Sequence, residues 1–339
     1  ESNAYIPKNG MELWLDAKNI NGGENLNLNN GASISIWKDL SGKANHLSQE
    51  ITQKRPIFSL YGLNNYPVVK FDGIKSSEGD YLENSNGFEI SDELTIFVVT
   101  NKTNYGGAYD KILALRGDDG SHGLLLSEGP SPYNLYVYVK KPPSSYRNII
   151  SNESHSGPKI FVSRIGNNIL DFDISGKNVG TKDYNDPIQG SDNLKLGWAY
   201  GSEFWDGEIA EVLIFNRYLT NEEKIKINYY LSEKWNLESL MDSDGDGFTD
   251  FRETSGGSSP TDSSSLPYYL GNNSTNPGSS CLNILQSDST LIDRKYWIDI
   301  TPGGTDDSFQ VYCHNMGNGN PVEYLELSNI SHDINSDGY

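Results

Sequence analysis

The feature that most constrains the fold is a series of short segments in residues 1–218 in which apolar and polar residues alternate. In the clearest of them, Leu135, Val137 and Val139 alternate with two tyrosines and a lysine. A period of two places one face of a β-strand in a core and the other towards solvent. Clusters of Gly, Asn, Asp and Pro separate the segments, which is typical of an antiparallel sandwich. The predicted strands include Glu12–Asp16, Pro67–Asp72, Leu94–Thr100, Asn134–Val139, Lys159–Arg164 and Glu208–Asn216.

The pattern changes to a helical one at residue 220. Thr220 and Glu223 have the spacing of a capping box, in which each side chain bonds the other residue's backbone N–H. Ile227, Leu231 and Trp235 then recur every fourth residue and form one apolar stripe. These signals predict a single helix over residues 221–236 at the end of the sandwich.

Residues 242–253 carry side-chain oxygens at the spacing of a calcium-binding loop. Such a loop aims positions 1, 3, 5, 9 and 12 and one backbone carbonyl at a common centre, and it needs Gly at position 6 for a sharp turn. Carboxylates this close together would repel each other without a cation. The alternative is an acidic surface turn that binds no ion. The predicted Ca²⁺ ligands are the side chains of Asp242, Asp244, Asp246, Asp250 and Glu253 and the carbonyl of Phe248.

The C-terminal part has a different composition. Residues 254–280 are rich in Ser, Gly, Pro and Asn, as in a linker, and apolar alternation returns from Cys281. Cys281 and Cys313 are the two cysteines of the chain, and we predict that they form one local disulfide. The predicted domains are therefore 1–238, a calcium loop and linker over 239–280, and a small module over 281–339. Residues 333–339 begin a second acidic loop and then stop, so they are either a tail or an incomplete ion site.

Charge and cysteine content limit the partners and the compartment. The formal net charge of −20 disfavours nucleic acid, because phosphate contacts need Lys and Arg. No apolar run reaches the length of a membrane span, and no signal peptide is visible. A disulfide indicates an oxidising compartment. We therefore expect an extracellular or cell-surface protein with no nucleic-acid partner.

Five phrases in the first 235 residues together point to a known family. They are Leu13–Ala17, Trp37–Gly42, Val69–Gly73, Gly207–Arg217 and Tyr230–Trp235. In this order they resemble the LamG-like (concanavalin A-like) jelly-roll family over about 230 residues. The resemblance implies two antiparallel sheets packed face to face, which usually serve as binding or adhesion modules.

Two shorter resemblances follow in the chain. The calcium loop with its Gly/Ser/Pro-rich tail is similar to thrombospondin type 3 repeats. The last segment resembles the opening of a fibrinogen C-terminal or GON-type domain through Ser280–Cys281, Tyr296–Asp299, Phe309–Cys313 and Glu323–Leu327. Together the signals predict an all-β antiparallel jelly-roll sandwich with one C-terminal helix, a calcium loop and a small disulfide-linked C-terminal module.

No catalytic constellation is visible in the sequence. Glycosidases need two carboxylates across a sugar, and the nearest pair, Asp171 and Asp173, lies on an ordinary strand of the resembled family. Glu208 and Glu211 are three residues apart and should face opposite sides of a strand. The five histidines are scattered and match no metal pattern. We therefore predict that the protein is not an enzyme.

The loop over residues 197–206 is the predicted ligand site, since it is unusually aromatic for a Gly-flanked turn. Trp198, Tyr200 and Trp205 are its candidate stacking residues. The alternative is that these rings only pack over the edge of the sandwich. The predicted function is binding or adhesion, with a glycan or a surface protein as partner. The alternatives are a pilin-like structural subunit of a surface filament and, less favoured, a glycan-active enzyme.

Overall fold

The structure is a computed structural model that forms two compact units. The first contains residues 1–252 and 260–264, and the second contains residues 253–259 and 265–339. The structure describes the whole chain except residues 1–5, 77, 90, 103–108, 117–122, 130–134, 142–144, 152–155, 186–187, 189–190, 302–307 and 326–339. The predicted second acidic loop at 333–339 lies outside the described residues.

The described part of the chain is mostly β-structure with three helices. In chain order the strands are β1 (Met11–Asp16), β2 (Ile36–Trp37), β3 (Leu47–Ser48), β4 (Ile57–Ser59), β5 (Val68–Asp72), β6 (Leu82–Glu89), β7 (Leu94–Lys102), β8 (Lys111–Arg116), β9 (Gly123–Glu128), β10 (Leu135–Lys141), β11 (Ser145–Ile150), β12 (Gly157–Gly166), β13 (Ile169–Ile174), β14 (Lys177–Asp183), β15 (Ser191–Leu196), β16 (Asp206–Phe215), β17 (Arg294–Ile298), β18 (Phe309–His314) and β19 (Val322–Tyr324). The helices are α1 (Asn221–Trp235), α2 (Asp250–Gly256) and α3 (Cys281–Ser287).

The first unit is a sandwich of two antiparallel sheets. One sheet has the order β14-β13-β12-β7-β16-β5-β4, with β1 also paired to β16, and the other has the order β11-β10-β9-β8-β15-β6-β3-β2. A single buried cluster joins residues of both sheets, such as Phe97 and Val99 of the first with Leu113 and Val137 of the second. The predicted all-β sandwich is therefore confirmed.

The burial of strand β10 and the start of helix α1 agree with the local sequence signals. Leu135, Val137 and Val139 are fully buried, while the tyrosines between them are half-buried. Helix α1 begins after Thr220, whose hydroxyl accepts a hydrogen bond from the Glu223 N–H, and the capping box is complete. These observations confirm the prediction that β10 is a strand with one buried face, and they confirm the predicted start of the helix.

Helix α1 is attached to the outer side of strand β16 through a buried carboxylate. Glu211 accepts hydrogen bonds from Trp14 Nε1 at 2.8 Å and from Trp235 Nε1 at 2.7 Å. Its second oxygen also lies 2.8 Å from Lys234 Nζ, which in turn contacts Asp16 at 2.7 Å. Burial raises the pKa of Glu211, and the charge of Lys234 opposes this rise. A buried ion pair offsets its desolvation cost only when additional hydrogen bonds satisfy its remaining polar atoms, as the two indole N–H groups do for Glu211.

The second unit is small and contains a three-stranded sheet in the order β17-β18-β19. The predicted disulfide between Cys281 and Cys313 is confirmed, and it joins α3 to β18 with Cα atoms 5.6 Å apart. The apolar alternation that begins at Cys281 does not correspond to a strand over residues 281–287. Residues 281–287 form a helix because Ser280 caps it, and its buried residues fall at helical spacing, at positions 281, 284 and 285.

Candidate functional site

The predicted calcium loop follows α1 and lies against the turn between β13 and β14. The Asp242 N–H points to the Ser175 carbonyl oxygen at 3.5 Å. A Cβ atom on Gly176 would stand 1.7 Å from the Asp242 carbonyl oxygen. Only glycine therefore permits this approach.

Three predicted ligands of the loop come together. One carboxylate oxygen from each of Asp242, Asp244 and Asp246 lies within 4.8 Å of the others. The backbone supports this arrangement, since the Gly245 and Gly247 N–H groups donate to the Asp242 carboxylate at 2.8 and 2.9 Å. Such loop-closing bonds are those that Asp side chains make in turns. The three carboxylates therefore lie close enough together to hold one metal ion.

The electrostatics of this cluster disfavour three bare negative charges. Burial, and then the charge of Asp246, raise the pKa of Asp244 to about 6. Burial also raises the pKa of Asp242. Asp244 Oδ2 is buried and accepts no hydrogen bond from the described residues. A cation at this point would offset both costs.

The other predicted ligands are placed differently. The Asp250 carboxylate is fully buried and accepts hydrogen bonds from the Ser243 N–H and from the Ser232 hydroxyl. This binds the loop to helix α1. Phe248 is buried, and its N–H donates to Asp246 at 2.7 Å. Glu253 is buried within α2 and belongs to the second unit, where its carboxylate lies 3.4 Å from the Ser258 hydroxyl.

The aromatic loop at 197–206 divides its rings between core and surface. Trp205 is 1% exposed and belongs to the sandwich core, so its indole faces are closed to a ligand. Trp198 is half-buried and stacks on Phe204, with ring centroids 5.6 Å apart. Tyr200 is 40% exposed. Tyr200 and an edge of Trp198 are therefore the rings of this loop that a ligand can reach. The prediction that Trp205 is a stacking residue is wrong, because its ring is buried in the core.

Sequence reasoning missed a group of residues that surrounds Tyr200. Lys111 is 1% exposed, and its ammonium lies 5.3 Å from the Tyr200 ring centroid and 5.5 Å from that of Tyr109. The same ammonium pairs with Glu203 at 2.9 Å. A signal was present in part, since Lys111 and Tyr109 stand close in sequence. Only the pairing of strands brings them to the loop.

The carboxylates that a glycan-active enzyme would need are engaged elsewhere. Asp171 is held by two nitrogens of Arg164, at 3.1 and 2.7 Å, and by the Tyr218 hydroxyl at 2.7 Å. Asp173 contacts Lys224 and accepts a hydrogen bond from Asn178 at 2.6 Å. That the protein is not an enzyme stays a prediction.

None of the described helices combines the length and the apolar character that a membrane-spanning helix requires.

Comparisons with known proteins give likeness of fold only. No protein-family model and no curated protein sequence matches the chain. Domain 4 of AbnA, a GH43 extracellular arabinanase from Geobacillus stearothermophilus solved with arabinotriose, is 11% identical, with a TM-score of 0.46 over 62% of this chain and 94% of its own. The binding domain of Paraclostridial Mosquitocidal Protein 1 is 12% identical, with a TM-score of 0.49 over 95% of this chain and 69% of its own.

A third similar structure is the CBM40 of the Ruminococcus gnavus IT-sialidase bound to alpha2,3 sialyllactose. It is 14% identical, with a TM-score of 0.35 over 41% of this chain and 83% of its own. Likenesses this distant carry no argument about function. The functional conclusions below therefore rest on the geometry of this chain alone.

Proposed function

We propose that this protein is a secreted or surface-displayed glycan-binding module that calcium stabilises. The observation that carries the proposal is the exposed Tyr200 ring on a loop whose other aromatic rings are fixed in place. Sugar rings present apolar faces that stack on aromatic side chains, and exposed aromatic rings on a rigid scaffold mark binding surfaces.

The loop beneath Tyr200 is held by several contacts. The ring centroids of Trp198 and Tyr81 lie 5.0 Å apart, and the Lys195 ammonium lies 4.6 Å from the Trp198 ring centroid. The Trp198 Nε1–H also donates a hydrogen bond to the Gly201 carbonyl at 3.0 Å. Fixing the loop before binding lowers the entropy that a ligand must overcome. The arrangement therefore favours a site that is formed in advance.

The test of glycan binding is a panel of immobilised oligosaccharides probed with the full chain in calcium and in chelator. We expect at least one glycan to bind, and Tyr200→Ala to weaken that binding without lowering the melting temperature. Tyr61→Ala is the matched control, because Tyr61 is an exposed tyrosine elsewhere on the same unit, 66% accessible. Equal binding by wild type and Tyr200→Ala would contradict the proposal.

Calcium in the 242–253 loop is the second part of the proposal. It is supported by the three converging carboxylates and by the buried Asp244 oxygen. In the proposed set the Phe248 carbonyl and the Glu253 carboxylate complete the ligands, while Asp250 acts at position 9, which in such loops often works through a water. The ion would fix the segment that joins helix α1 to helix α2.

Calorimetric titration with CaCl₂ tests this part. Extracellular sites of this kind bind with dissociation constants of about 10⁻⁴–10⁻³ M, so the titration needs millimolar calcium. We expect Asp246→Ala and Glu253→Ala each to abolish the uptake that the wild type and an exposed-residue control, Asp92→Ala, both show. Undiminished uptake by Asp246→Ala would place the ion elsewhere.

A further inference from the structure

We infer that Tyr109 is a second stacking ring of the same site, and that the site takes a neutral oligosaccharide of at least two sugar units. This inference rests on the proposed glycan-binding function and extends it to a ligand class.

Tyr109 stands in a backbone conformation that a bulky residue rarely adopts. Its φ is +72°, in the left-handed region, yet its side chain is 39% exposed. Such a conformation costs of order 1–3 kcal/mol and persists only where the surroundings enforce it, which occurs most often at functional sites. An exposed ring gains little from burial that would offset this cost. The surroundings of Tyr109 therefore hold its strained backbone, together with its exposed ring, in place.

Lys111 holds the backbone carbonyl of Tyr109. Its buried ammonium donates a hydrogen bond to the Tyr109 carbonyl at 2.6 Å, and a second one to the Ser127 hydroxyl at 3.3 Å. The Ser127 hydroxyl also lies 3.3 Å from the Tyr109 carbonyl and 3.1 Å from the Asp110 carbonyl. A charged donor makes hydrogen bonds that are shorter and stronger than those of a neutral one.

The same ammonium connects Tyr109 to the aromatic loop. It lies within 5.5 Å of the Tyr109 and Tyr200 ring centroids, which is cation–π range for both. It also pairs with Glu203, whose side chain is 32% exposed. One buried cation thus gathers two exposed rings and one partly exposed carboxylate at the surface.

This set of groups matches a neutral sugar better than an acidic one. Two separate rings suit two sugar units, and the outer edge of the Glu203 carboxylate can accept hydrogen bonds from sugar hydroxyls. The ammoniums near the two rings are already paired with carboxylates. Buried Lys111 pairs with Glu203, buried Lys102 pairs with Asp110 and Glu128, and the partly exposed Lys75 also pairs with Asp110. The charges at the site therefore balance one another, while the chain as a whole carries a net charge of −20, which disfavours a sialylated or uronic ligand.

The test is calorimetry and array binding with matched neutral and acidic probes. The neutral series is cellobiose to cellotetraose, xylobiose to xylotetraose, and lacto-N-tetraose, and the acidic probes are sialylated lacto-N-tetraose and tetragalacturonate. The variants are Tyr109→Ala, Tyr109→Phe, Tyr200→Ala and Glu203→Gln, with Tyr61→Ala as control and the melting temperature recorded for each.

We expect a neutral tetrasaccharide to bind more tightly than its disaccharide. Tyr109→Ala should weaken tetrasaccharide binding roughly threefold to tenfold, while Tyr109→Phe and Tyr61→Ala should retain it. Glu203→Gln should reduce the ratio of the affinities for lacto-N-tetraose and its sialylated form, because it removes the partly exposed carboxylate that pairs with Lys111.

The failures can be told apart. If no probe binds, glycan binding itself is refuted and this inference falls with it. If Tyr200→Ala loses binding but Tyr109→Ala does not, glycan binding stands and the second ring is refuted. If the acidic probes bind more tightly than their neutral partners, glycan binding stands and the neutral ligand class is refuted.

Discussion

At the scale of single residues, Gly176 decides where the predicted calcium loop can lie. Its φ of +86° and the 1.7 Å approach of the Asp242 carbonyl oxygen to a Cβ position each require glycine. Gly42 offers a matched comparison, since its φ is +90° but nothing lies within 4 Å of its Cβ position. The two positions separate the cost of backbone strain from the cost of the clash.

We expect Gly176→Ala to destabilise the protein by about 1–3 kcal/mol more than Gly42→Ala, because only the first substitution forces the loop away from the sheet. It should also weaken calcium uptake, whereas Gly42→Ala should not. Urea unfolding and calorimetry of both variants measure these differences. Equal losses in the two variants would mean that the loop does not depend on this contact.

Asp80 gives a pH dependence with a defined sign. Burial, and then the charge of Asp72, raise its pKa from 3.8 to about 7. The folded state therefore binds the proton more tightly than the unfolded chain. The resulting stability is fully present below about pH 3.8 and is lost as the pH rises through about 7.

Replacing Asp80 by Asn should remove this loss. We expect Asp80→Asn to match the wild type near pH 4 and to exceed it in melting temperature at pH 8. The exposed control Asp92→Asn should follow the wild type at both values. A lower melting temperature of Asp80→Asn than of the wild type at pH 8 would contradict this expectation.

The sequence predicted the types of site residue better than their exposure. The spacing of residues 242–253 brought Asp242, Asp244 and Asp246 together in the prediction as in the structure, because such a cluster is local in sequence. That they bind calcium stays a prediction. The sequence did not distinguish Tyr200 from Trp205, since both stand in one Gly-rich loop and only packing sends one ring into the core. Tyr109 belongs to no motif, because its position depends on a buried ammonium contributed by the next strand.

At the scale of elements, local signals predicted those parts of the fold that local chemistry determines. Strands with one half-exposed face, such as β10, show the period of two, and helix α1 begins at its capping box. Helix α3 was not predicted, because a seven-residue helix has too few turns for its period of 3.6 to be distinguished from apolar alternation. The two-residue strands β2 and β3 carry no period at all.

The capping box of α1 can be tested directly. Thr220 accepts from the Glu223 N–H at 3.2 Å, and the Glu223 carboxylate accepts from the Thr220 N–H at 3.0 Å. We expect Thr220→Ala to lower the free energy of unfolding by about 1 kcal/mol, while Thr220→Ser, which keeps the hydroxyl, should cost much less. Denaturant unfolding of the pair measures this, and equal losses would show that the hydroxyl does not cap the helix.

At the scale of the whole molecule, the disulfide supports the small second unit. Its described sheet has three short strands, and small units of this kind often depend on a covalent link. Replacing both Cys281 and Cys313 by Ala should destabilise this unit by roughly 3–4 kcal/mol in the chain-entropy model.

Hydrogen exchange locates the effect of that double variant. We expect faster exchange in β17 and β18, and unchanged exchange in β7 at the centre of the first unit's sheet. The control is the same variant with added reductant, which should change nothing further. Unaltered exchange in β17 and β18 would show that the unit holds together without the link.

Glycan binding by the 197–206 loop is tested most directly by a crystal structure of the full chain with the tightest-binding oligosaccharide of the panel. A sugar ring stacked on Tyr200, with further density towards Tyr109, is the predicted result. A sugar bound instead in the cavity of about 370 Å³ lined by Asn167, Asn168 and Tyr184, with nothing over Tyr200, would contradict it.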